Sequence, residues 1–224
     1  MITASHLTKS FGGTRALDDV NLTIGRGECL AIVGSRGSGQ TTLLRVMAAL
    51  MPPTSGRIDI NGLDIAADPF RARRLMAYAG HERIEGHRLR VGEYLRSVAS
   101  VRGRPAASVE AAAALVGLDA RAPIATLAAG AQPRVALAAA LVAAPDVLLL
   151  DRPFRTLAVD AHEGFCRWLA SARDRGSAIV VSASTVEETG DACRRVARLD
   201  GGRIVEIIVP SRSSAGQPAA LAGA

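Results

Sequence analysis

The first part of the chain alternates apolar and polar positions in the two-residue period of β-strands. Residues 2–11 and 15–24 follow this pattern, and Gly12-Gly13 between them is a turn signal. Further along, short continuous apolar runs indicate strands that are buried on both faces of a parallel sheet. The remaining predicted strands are 28–33, 57–60, 76–79, 147–150, 178–182, 196–199 and 203–208.

Other segments repeat their apolar positions at helical spacing. Helices are predicted at 43–50, 70–75, 91–101, 108–116, 160–173 and 186–193. Between about residues 81 and 141 the pattern is mostly helical, whereas strands alternate with helices on both sides of that segment. The pattern therefore predicts an α/β chain with a helical insertion.

Composition limits the possible architectures. The chain has 224 residues, of which 49% are hydrophobic but only 3% aromatic, so the core must be aliphatic. This length suffices for one sizeable domain, with or without an inserted subdomain. The longest apolar run, 135–144, is well short of the roughly 18 residues that cross a bilayer. Since the N-terminus is also too polar for a signal peptide, we expect any membrane-spanning part to belong to another chain.

The net charge of +6 comes almost entirely from arginine. A nucleic-acid partner is one interpretation of this charge, and a soluble protein from an arginine-favouring genome is the other. The arginines are scattered along the sequence and lack interleaved aromatic residues. The second interpretation is therefore favoured, and no nucleic-acid partner is expected.

The three cysteines, Cys29, Cys166 and Cys193, lie far apart in the sequence. Their positions match no metal-binding or disulfide spacing, which is typical of a reducing compartment. Cys29 falls in a predicted core strand, where it is expected to behave as a small hydrophobic residue.

A glycine-rich segment, GSRGSGQTT at residues 34–42, lies between a predicted strand and a predicted helix. Glycines at this spacing let successive backbone N–H groups converge at a helix N-terminus, which suits phosphate oxygens. The segment fits the phosphate-loop pattern G-x-x-x-x-G-K-[ST] at every fixed position but one. Gln40 takes the place of the lysine, and Lys9, the only lysine in the chain, is remote in sequence.

Several landmarks in order resemble the ATP-binding subunit of ABC (ATP-binding cassette) transporters over residues 2–208. Besides the glycine loop and Phe11, these are TSGRIDINGLDI (54–65), LRVGEYL (89–95) and LAAGAQPRVALAAALVAAPDVLLLDRP (127–153). The resemblance implies an α/β fold of the P-loop NTPase class, ABC ATPase type. A RecA-like core with an N-terminal antiparallel β part would comprise 1–80 and 142–209, with a helical subdomain at 81–141. The composition of residues 210–224 is that of a linker and predicts no fixed structure.

The resemblance also assigns roles to residues that this chain retains. Phe11 would stack on the adenine of ATP, although an ordinary strand aromatic is the alternative interpretation. Gly130 corresponds to the second glycine of the family's signature, and Thr41 with Asp151 would hold Mg²⁺. The nucleotide-binding set is Phe11, Gly34, Gly37, Ser38, Gly39, Thr41 and Thr42.

Other family positions are replaced, and the resemblance implies that six of them meet around one phosphate. The replaced groups are the phosphate-loop lysine, the glutamine that senses the γ-phosphate, the signature serine and first glycine, a glutamine after the signature, the water-polarising glutamate, the D-loop aspartate and the switch histidine. The residues now at these positions are Gln40, His81, Ala128, Ala129, Pro133, Arg152, Ala158 and Ala183. A chain that keeps the fold but lacks these catalytic groups is predicted to be a pseudo-ATPase. Loss of a general base alone costs about 10²–10⁴ in rate, and loss of one preorganised electrostatic group costs about 10²–10³.

Nucleotide binding is a separate question. Gln40 removes a positive charge and Arg152 replaces a negative group by a positive one, so the site gains one formal positive charge relative to the family pattern. We expect Arg152, with Arg36 in the loop, to reach the phosphates and support binding without hydrolysis. The alternative is that Arg152 is solvated or paired with a carboxylate and that binding is weak or absent.

The resemblance implies ATP and Mg²⁺ as cofactors, and a transmembrane subunit and a second nucleotide-binding subunit as partners. It also implies a cytoplasmic location against the inner face of the cell membrane. Two other functions remain open: a non-enzymatic regulatory or scaffold protein that kept the fold, and an active ATPase that uses substitute residues.

Overall fold

The computed structural model describes residues 1–82, 84 and 88–209. The expectation for residues 210–224 falls outside the described residues. The helices and strands, in chain order, are β1 (Ile2–Phe11), β2 (Thr14–Ile24), β3 (Cys29–Val33), α1 (Gln40–Met47), β4 (Ser55–Ile60), β5 (Leu63–Asp64), α2 (Pro69–Leu75), β6 (Met76–Ala79), α3 (Val91–Val101), α4 (Ser108–Leu115), α5 (Gln132–Ala143), β7 (Val147–Asp151), α6 (Val159–Asp174), β8 (Ala178–Ala183), β9 (Arg195–Asp200) and β10 (Arg203–Ile208).

The strands form two sheets. An antiparallel sheet has the order β2-β1-β4-β5, and a six-stranded sheet has the order β10-β9-β3-β8-β7-β6. In the larger sheet β9, β3, β8, β7 and β6 are parallel, and only β10 runs antiparallel to its neighbour. The carboxyl ends of the parallel strands therefore meet at one edge, where ligands of such sheets commonly bind.

The continuous apolar run of β3 is explained by burial on both faces. Ala31 and Val33 belong to a core cluster that includes residues of α3 to α6. Leu30 and Ile32 point the other way, into a cluster with α1 and the antiparallel sheet. Because a strand alternates its side chains between faces, a strand covered on both sides needs apolar residues at every position.

Most predicted elements are confirmed, with boundaries that differ by a few residues. The predicted helix at 186–193 is wrong: this segment is a 3₁₀ stretch, Glu187–Ala192, interrupted at Gly190 with φ 49° and ψ −145°. The helix after the glycine loop ends at Met47 rather than near residue 50, and Ala49 has a φ of 53°. A left-handed residue ends a helix locally, which an apolar period does not reveal.

The fold brings two of the three cysteines together. Cys29, at the start of β3, and Cys193, just before β9, lie side by side with their Cα atoms 4.6 Å apart. The two residues are 164 positions apart and meet because β9 pairs directly with β3.

Among the described residues, no helix has the length and apolar character needed to cross a bilayer. The apolar helix α5 instead contributes Val135, Leu137 and Leu141 to the core cluster. Its hydrophobicity is therefore used in packing within the domain.

Candidate nucleotide-binding site

The glycine loop connects β3 to α1 and follows a path that excludes side chains at two points. Gly39 precedes α1 with φ 106°, and a Cβ there would lie 2.5 Å from the carbonyl oxygen of Ala16. A Cβ on Gly34 would lie 2.6 Å from the hydroxyl of Ser38. The loop is therefore closed against its own helix and β2, with the backbone at the N-terminus of α1, as a phosphate loop requires.

Gln40, in the lysine position, is turned inward and is 1% exposed. Its side-chain nitrogen donates hydrogen bonds to the carbonyl oxygens of Ile32, at 2.8 Å, and Ala183, at 2.9 Å. Its side-chain oxygen accepts a hydrogen bond from Nη2 of Arg152 at 3.0 Å. Since a side-chain amide has two N–H donors, both donors of Gln40 are engaged with backbone oxygens.

Arg152 directly follows β7 and adopts a left-handed backbone conformation, with φ 50° and ψ 50°. Its backbone N–H donates to the hydroxyl of Ser182 at 2.9 Å, and this hydroxyl donates to Oδ1 of Asp151 at 2.7 Å. Ser182 pairs with Asp151 across the parallel strands. This turn directs the guanidinium toward α1, so Arg152 is neither free in solvent nor paired with a carboxylate within the described part of the chain.

Three buried polar atoms beside the loop have no hydrogen-bond partner among the described residues. They are Oγ of Ser38, Oδ2 of Asp151 and Nε of Arg152. An orphaned carboxylate oxygen fits a cation or a cation-bound water, whereas an orphaned N–H fits an anion. The residues present therefore fit Mg²⁺ at Asp151, with the hydroxyl of Thr41 at the start of α1 as the second ligand that the family pattern assigns.

The segment after β6 carries His81, the residue at the sensor position of the family pattern. His81 is exposed, and the space beside Gly80 is occupied by the Tyr78 hydroxyl and the Glu82 carboxylate. Glu82 accepts hydrogen bonds from Tyr78 at 3.4 Å and from Nη2 of Arg45 in α1 at 2.8 Å. Neither Tyr78 nor Glu82 was singled out from the sequence, because neither occupies a family motif position.

Burial, followed by the negative charges of Asp151 and Glu82, raises the pKa of Tyr78 above its ordinary value of 10.0. The phenol is therefore a neutral donor at physiological pH. Tyr78 pairs with Leu149 of β7, two residues before Asp151 at the end of that strand.

Phe11 ends β1 and is 48% exposed. The ammonium of Lys9 lies 5.2 Å from the centre of the Phe11 ring and donates to the carbonyl oxygen of Pro52 at 2.8 Å. The exposed ring of Phe11 is available to a planar ligand. The carbonyl oxygen of Pro52, in the loop after α1, holds the Lys9 ammonium over that ring. The assignment of Phe11 to adenine stacking remains a prediction.

The signature and D-loop positions lie at the surface of this single chain. Ala128, Ala129 and Gly130 precede α5 and are exposed, as is Ala158 before α6. Ala183, by contrast, is fully buried at the end of β8. The structure thus brings Gln40, Asp151, Arg152 and Ala183 together, whereas the signature residues face solvent.

Comparisons with known proteins identify the fold and the family. The profile of the ABC transporter family matches residues 17–155. The sulfate/thiosulfate import ATP-binding protein CysA of Xanthomonas campestris is 36% identical over 94% of this chain, and the protein of the same name from Bradyrhizobium diazoefficiens is 36% identical over 93%. The chain spans 64% of the length of each of these two relatives.

Solved structures agree on the fold. An ATP-binding subunit of an ABC transporter superposes with a TM-score of 0.83 at 24% identity, covering 93% of this chain and 90% of the other. An ATP-binding cassette solved as a dimer with ADP and Pi gives 0.81 at 23% identity, covering 93% and 98%. The fold is thus that of the ABC ATPase type of P-loop NTPase, as the sequence resemblance implied. Because the family profile matches more than half of the chain, the protein belongs to the ABC transporter family.

Proposed function

We propose that this chain is the ATP-binding subunit of an ABC importer that binds nucleotide at residues 34–42 and hydrolyses little or none of it. One observation carries the proposal: Nη2 of Arg152 lies 3.0 Å from Oε1 of Gln40 at the N-terminus of α1. A guanidinium from β7 is thereby placed against the phosphate loop. It supplies the positive charge that the missing lysine would otherwise bring.

Gln40 itself is a poor substitute for lysine. Both of its N–H donors are used by the backbone oxygens of Ile32 and Ala183, so neither is available for a phosphate. Arg152 keeps four of its five N–H donors after bonding Gln40, and its Nε is buried without a partner within the described residues. Gln40 therefore holds the arginine in place, and the arginine contacts the phosphate oxygens.

Hydrolysis needs a group that positions the attacking water, and the residues at the expected positions do not provide one. Arg152 cannot accept a proton, and Ala183 has only a methyl group, which is buried. Loss of a positioned base alone costs about 10²–10⁴ in rate. A bound Mg²⁺ would neutralise phosphate charge from Thr41 and Asp151, and the residue that follows Asp151 is an arginine rather than a base for water.

The relatives named for sulfate and thiosulfate import suggest a related oxyanion importer as the context. In that context the chain would lie in the cytoplasm, peripheral to the inner face of the membrane, and contact a transmembrane subunit. Exposure of Ala128, Ala129, Gly130 and Ala158 favours a contact with a second nucleotide-binding subunit at this surface. The division into a core and a helical subdomain at 81–141 belongs to the same proposal.

Calorimetric titration with Mg-ATP tests the role of Arg152. The parent chain should bind, and Arg152→Ala should weaken binding at least about tenfold, as expected for a lost charge-assisted hydrogen bond. Arg155→Ala is the matched control, because Arg155 is an exposed arginine three residues away. Absence of binding in the parent, or equal binding by the parent and Arg152→Ala, would reject the proposal.

Two competing functions have their own discriminating results. A steady-state ATPase activity that Asp151→Asn abolishes would establish an active enzyme with substitute residues. Purification without any membrane-spanning partner, from cells that express the genes adjacent to this one, would favour a regulatory or scaffold protein.

A further inference from the structure

A second concave site lies at the opposite end of the parallel sheet from the glycine loop. It is a cavity of about 240 Å³ beside the residues that lead into β7 and β8. The five-residue strand β7 connects this end to Asp151, and at about 3.3 Å per residue the two ends are separated by roughly 15 Å. The cavity therefore shares no residue with the proposed nucleotide site.

Three arginines that are far apart in sequence line this cavity: Arg26 from the β2–β3 turn, Arg104 after α3 and Arg175 after α6. Asp146 is the one carboxylate among the lining residues. We call this set, together with Trp168, the basic cavity. These three arginines, which are scattered along the sequence, thus come together in space.

Two of the guanidinium groups are held in place by hydrogen bonds. Arg104 donates from Nε to the carbonyl oxygen of Ala143 at 3.2 Å and from Nη2 to that of Ala144 at 2.5 Å. Arg175 donates from Nη1 to the hydroxyl of Ser171 at 2.5 Å. Each retains further N–H donors, because a guanidinium has five.

Arg26 differs from the other two arginines. Its side chain makes no hydrogen bond or ion pair with the residues that the structure describes. Its Nη2 would lie 3.6 Å from a Cβ placed on Gly176, which has a φ of 99° and so favours glycine. Gly176 and the guanidinium of Arg26 thus lie side by side in the lining of the cavity.

The floor and walls of the basic cavity are fixed by the fold. The hydroxyl of Ser177 donates to the carbonyl oxygen of Pro145 at 3.0 Å, and the N–H of Ala178 donates to that of Asp146 at 2.8 Å. Leu148 and the half-buried ring of Trp168 supply an apolar side. The site is therefore a preformed concavity with a formal charge of about +2 from three arginines and one aspartate.

We propose that the basic cavity binds a doubly charged tetrahedral oxyanion of the phosphate or sulfate type, either free or as the terminal group of a mononucleotide. Guanidinium groups present pairs of N–H donors that match two oxygens of such an anion. Two negative charges would balance the charge of the cavity. The indole of Trp168 provides a flat apolar surface on which the base of a mononucleotide could lie. This site is independent of nucleotide binding at the glycine loop.

Trp168 is the only tryptophan of the chain, so its fluorescence reports directly on this cavity. The parent protein is titrated with inorganic phosphate while chloride is withdrawn to hold ionic strength constant. We expect a saturable change in emission. In Arg26→Gln the apparent dissociation constant should rise at least about tenfold, as for loss of a charge-assisted hydrogen bond. Arg57→Gln, an exposed arginine in β4, is the control of equal charge and should match the parent.

Arg152→Ala separates this site from the glycine loop, because it should alter ATP binding but leave the phosphate-dependent emission of Trp168 unchanged. Titration of that variant with AMP identifies the source of the anion. If AMP saturates the emission change at lower concentrations than inorganic phosphate does, the result favours a mononucleotide. If the two ligands saturate it at the same concentration, the result favours the free ion. No saturable change in the parent, an equal change with chloride, or an undiminished affinity in Arg26→Gln would overturn the proposal. Circular dichroism of Arg26→Gln verifies that it folds.

Discussion

Nη2 of Arg152 donates a hydrogen bond to Oε1 of Gln40 over 3.0 Å, joining residues that are 112 positions apart. These two residues replace a lysine and a glutamate of the family pattern. The contact joins the cationic guanidinium of Arg152 to the neutral amide oxygen of Gln40, at two positions where the family pattern has opposite charges. It also joins the start of α1 to the residue after β7, at two positions to which the resemblance assigns groups used for hydrolysis.

Gln40→Ala should destabilise the domain. The change removes three hydrogen bonds and leaves the carbonyl oxygens of Ile32 and Ala183 buried without these donors. At roughly 1–3 kcal/mol for each buried group left unpaired, we expect a loss of about 2–5 kcal/mol in the free energy of unfolding. Urea denaturation measures it.

The control is Gln132→Ala, because Oε1 of Gln132 has no hydrogen-bond partner within the described chain. Its cost should be below about 1 kcal/mol, typical of positions without such contacts. Equal losses in the two variants would show that the hydrogen bonds of Gln40 do not stabilise the fold.

Gln40 and Arg152 should be energetically coupled. Arg152→Glu alone would set a carboxylate against Oε1 of Gln40 and beside Asp151, so it should lower the melting temperature. Adding Gln40→Lys should recover part of that loss, because the new lysine can pair with the new glutamate. A double-mutant cycle on unfolding free energies should give a coupling of about 1 kcal/mol or more. Additive effects would mean that the contact is incidental.

Restoring this pair should not restore full ATP hydrolysis. Ala183 still lacks the switch imidazole, and Ala128 and Ala129 still replace the signature residues. We expect turnover in the Gln40→Lys, Arg152→Glu variant to remain at least about tenfold below that of an intact cassette, since each missing group carries its own cost. A phosphate-release assay measures this, and full turnover would show that the other replacements are tolerated.

Substitutions at Asp151 and at Ser182 should change the stability of the folded protein in opposite directions. Asp151 is 3% exposed, and its Oδ2 has no partner among the described residues. Asp151→Asn keeps the acceptor for Ser182 and removes a buried charge, so the free protein should gain about 1 kcal/mol in stability. Ser182→Ala removes a hydroxyl that bonds both Asp151 and the N–H of Arg152, and should cost about 1–2 kcal/mol. Thermal unfolding without nucleotide measures both, and a loss of stability in Asp151→Asn would contradict the account of Oδ2.

Magnesium gives a second measurement on Asp151. If Asp151 holds the ion, Mg²⁺ should raise the affinity for ATP in the parent and have a smaller effect in Asp151→Asn. Calorimetry with and without EDTA distinguishes these outcomes. An equal effect of Mg²⁺ on both proteins would place the ion elsewhere.

Tyr78 should make the fold sensitive to alkaline pH. Burial and the charges of Asp151 and Glu82 raise the pKa of its phenol above 10.0 in the folded state. A group with a raised folded pKa stabilises the fold fully below its unfolded pKa, and this contribution is lost as pH rises toward the folded value. The free energy of unfolding should therefore fall above about pH 10, and less steeply in Tyr78→Phe. Denaturation at pH 8 to 11 measures the slopes, and identical slopes would exclude Tyr78 as the cause.

The sequence by itself determined the succession of strands and helices along the chain, the glycine loop and the positions that depart from the family pattern. These features are local: the apolar period of β3, the spacing of Gly34 and Gly39, and the identity of the residue after β7 are all contained in short segments. The apolar periodicity predicted a helix at 186–193, but the non-helical backbone of Gly190 interrupts that segment.

Only the tertiary structure decided which distant groups meet. The contact of Gln40 with Arg152, the approach of Cys29 to Cys193, and the gathering of Arg26, Arg104 and Arg175 all depend on the order of strands in the sheet. Hydrogen bonds and charge interactions act over a few ångströms in space, and the residues that make them show no periodic pattern along the sequence. Residue identity therefore indicated which positions depart from the family pattern, whereas folding determined that the guanidinium of Arg152 lies against Gln40.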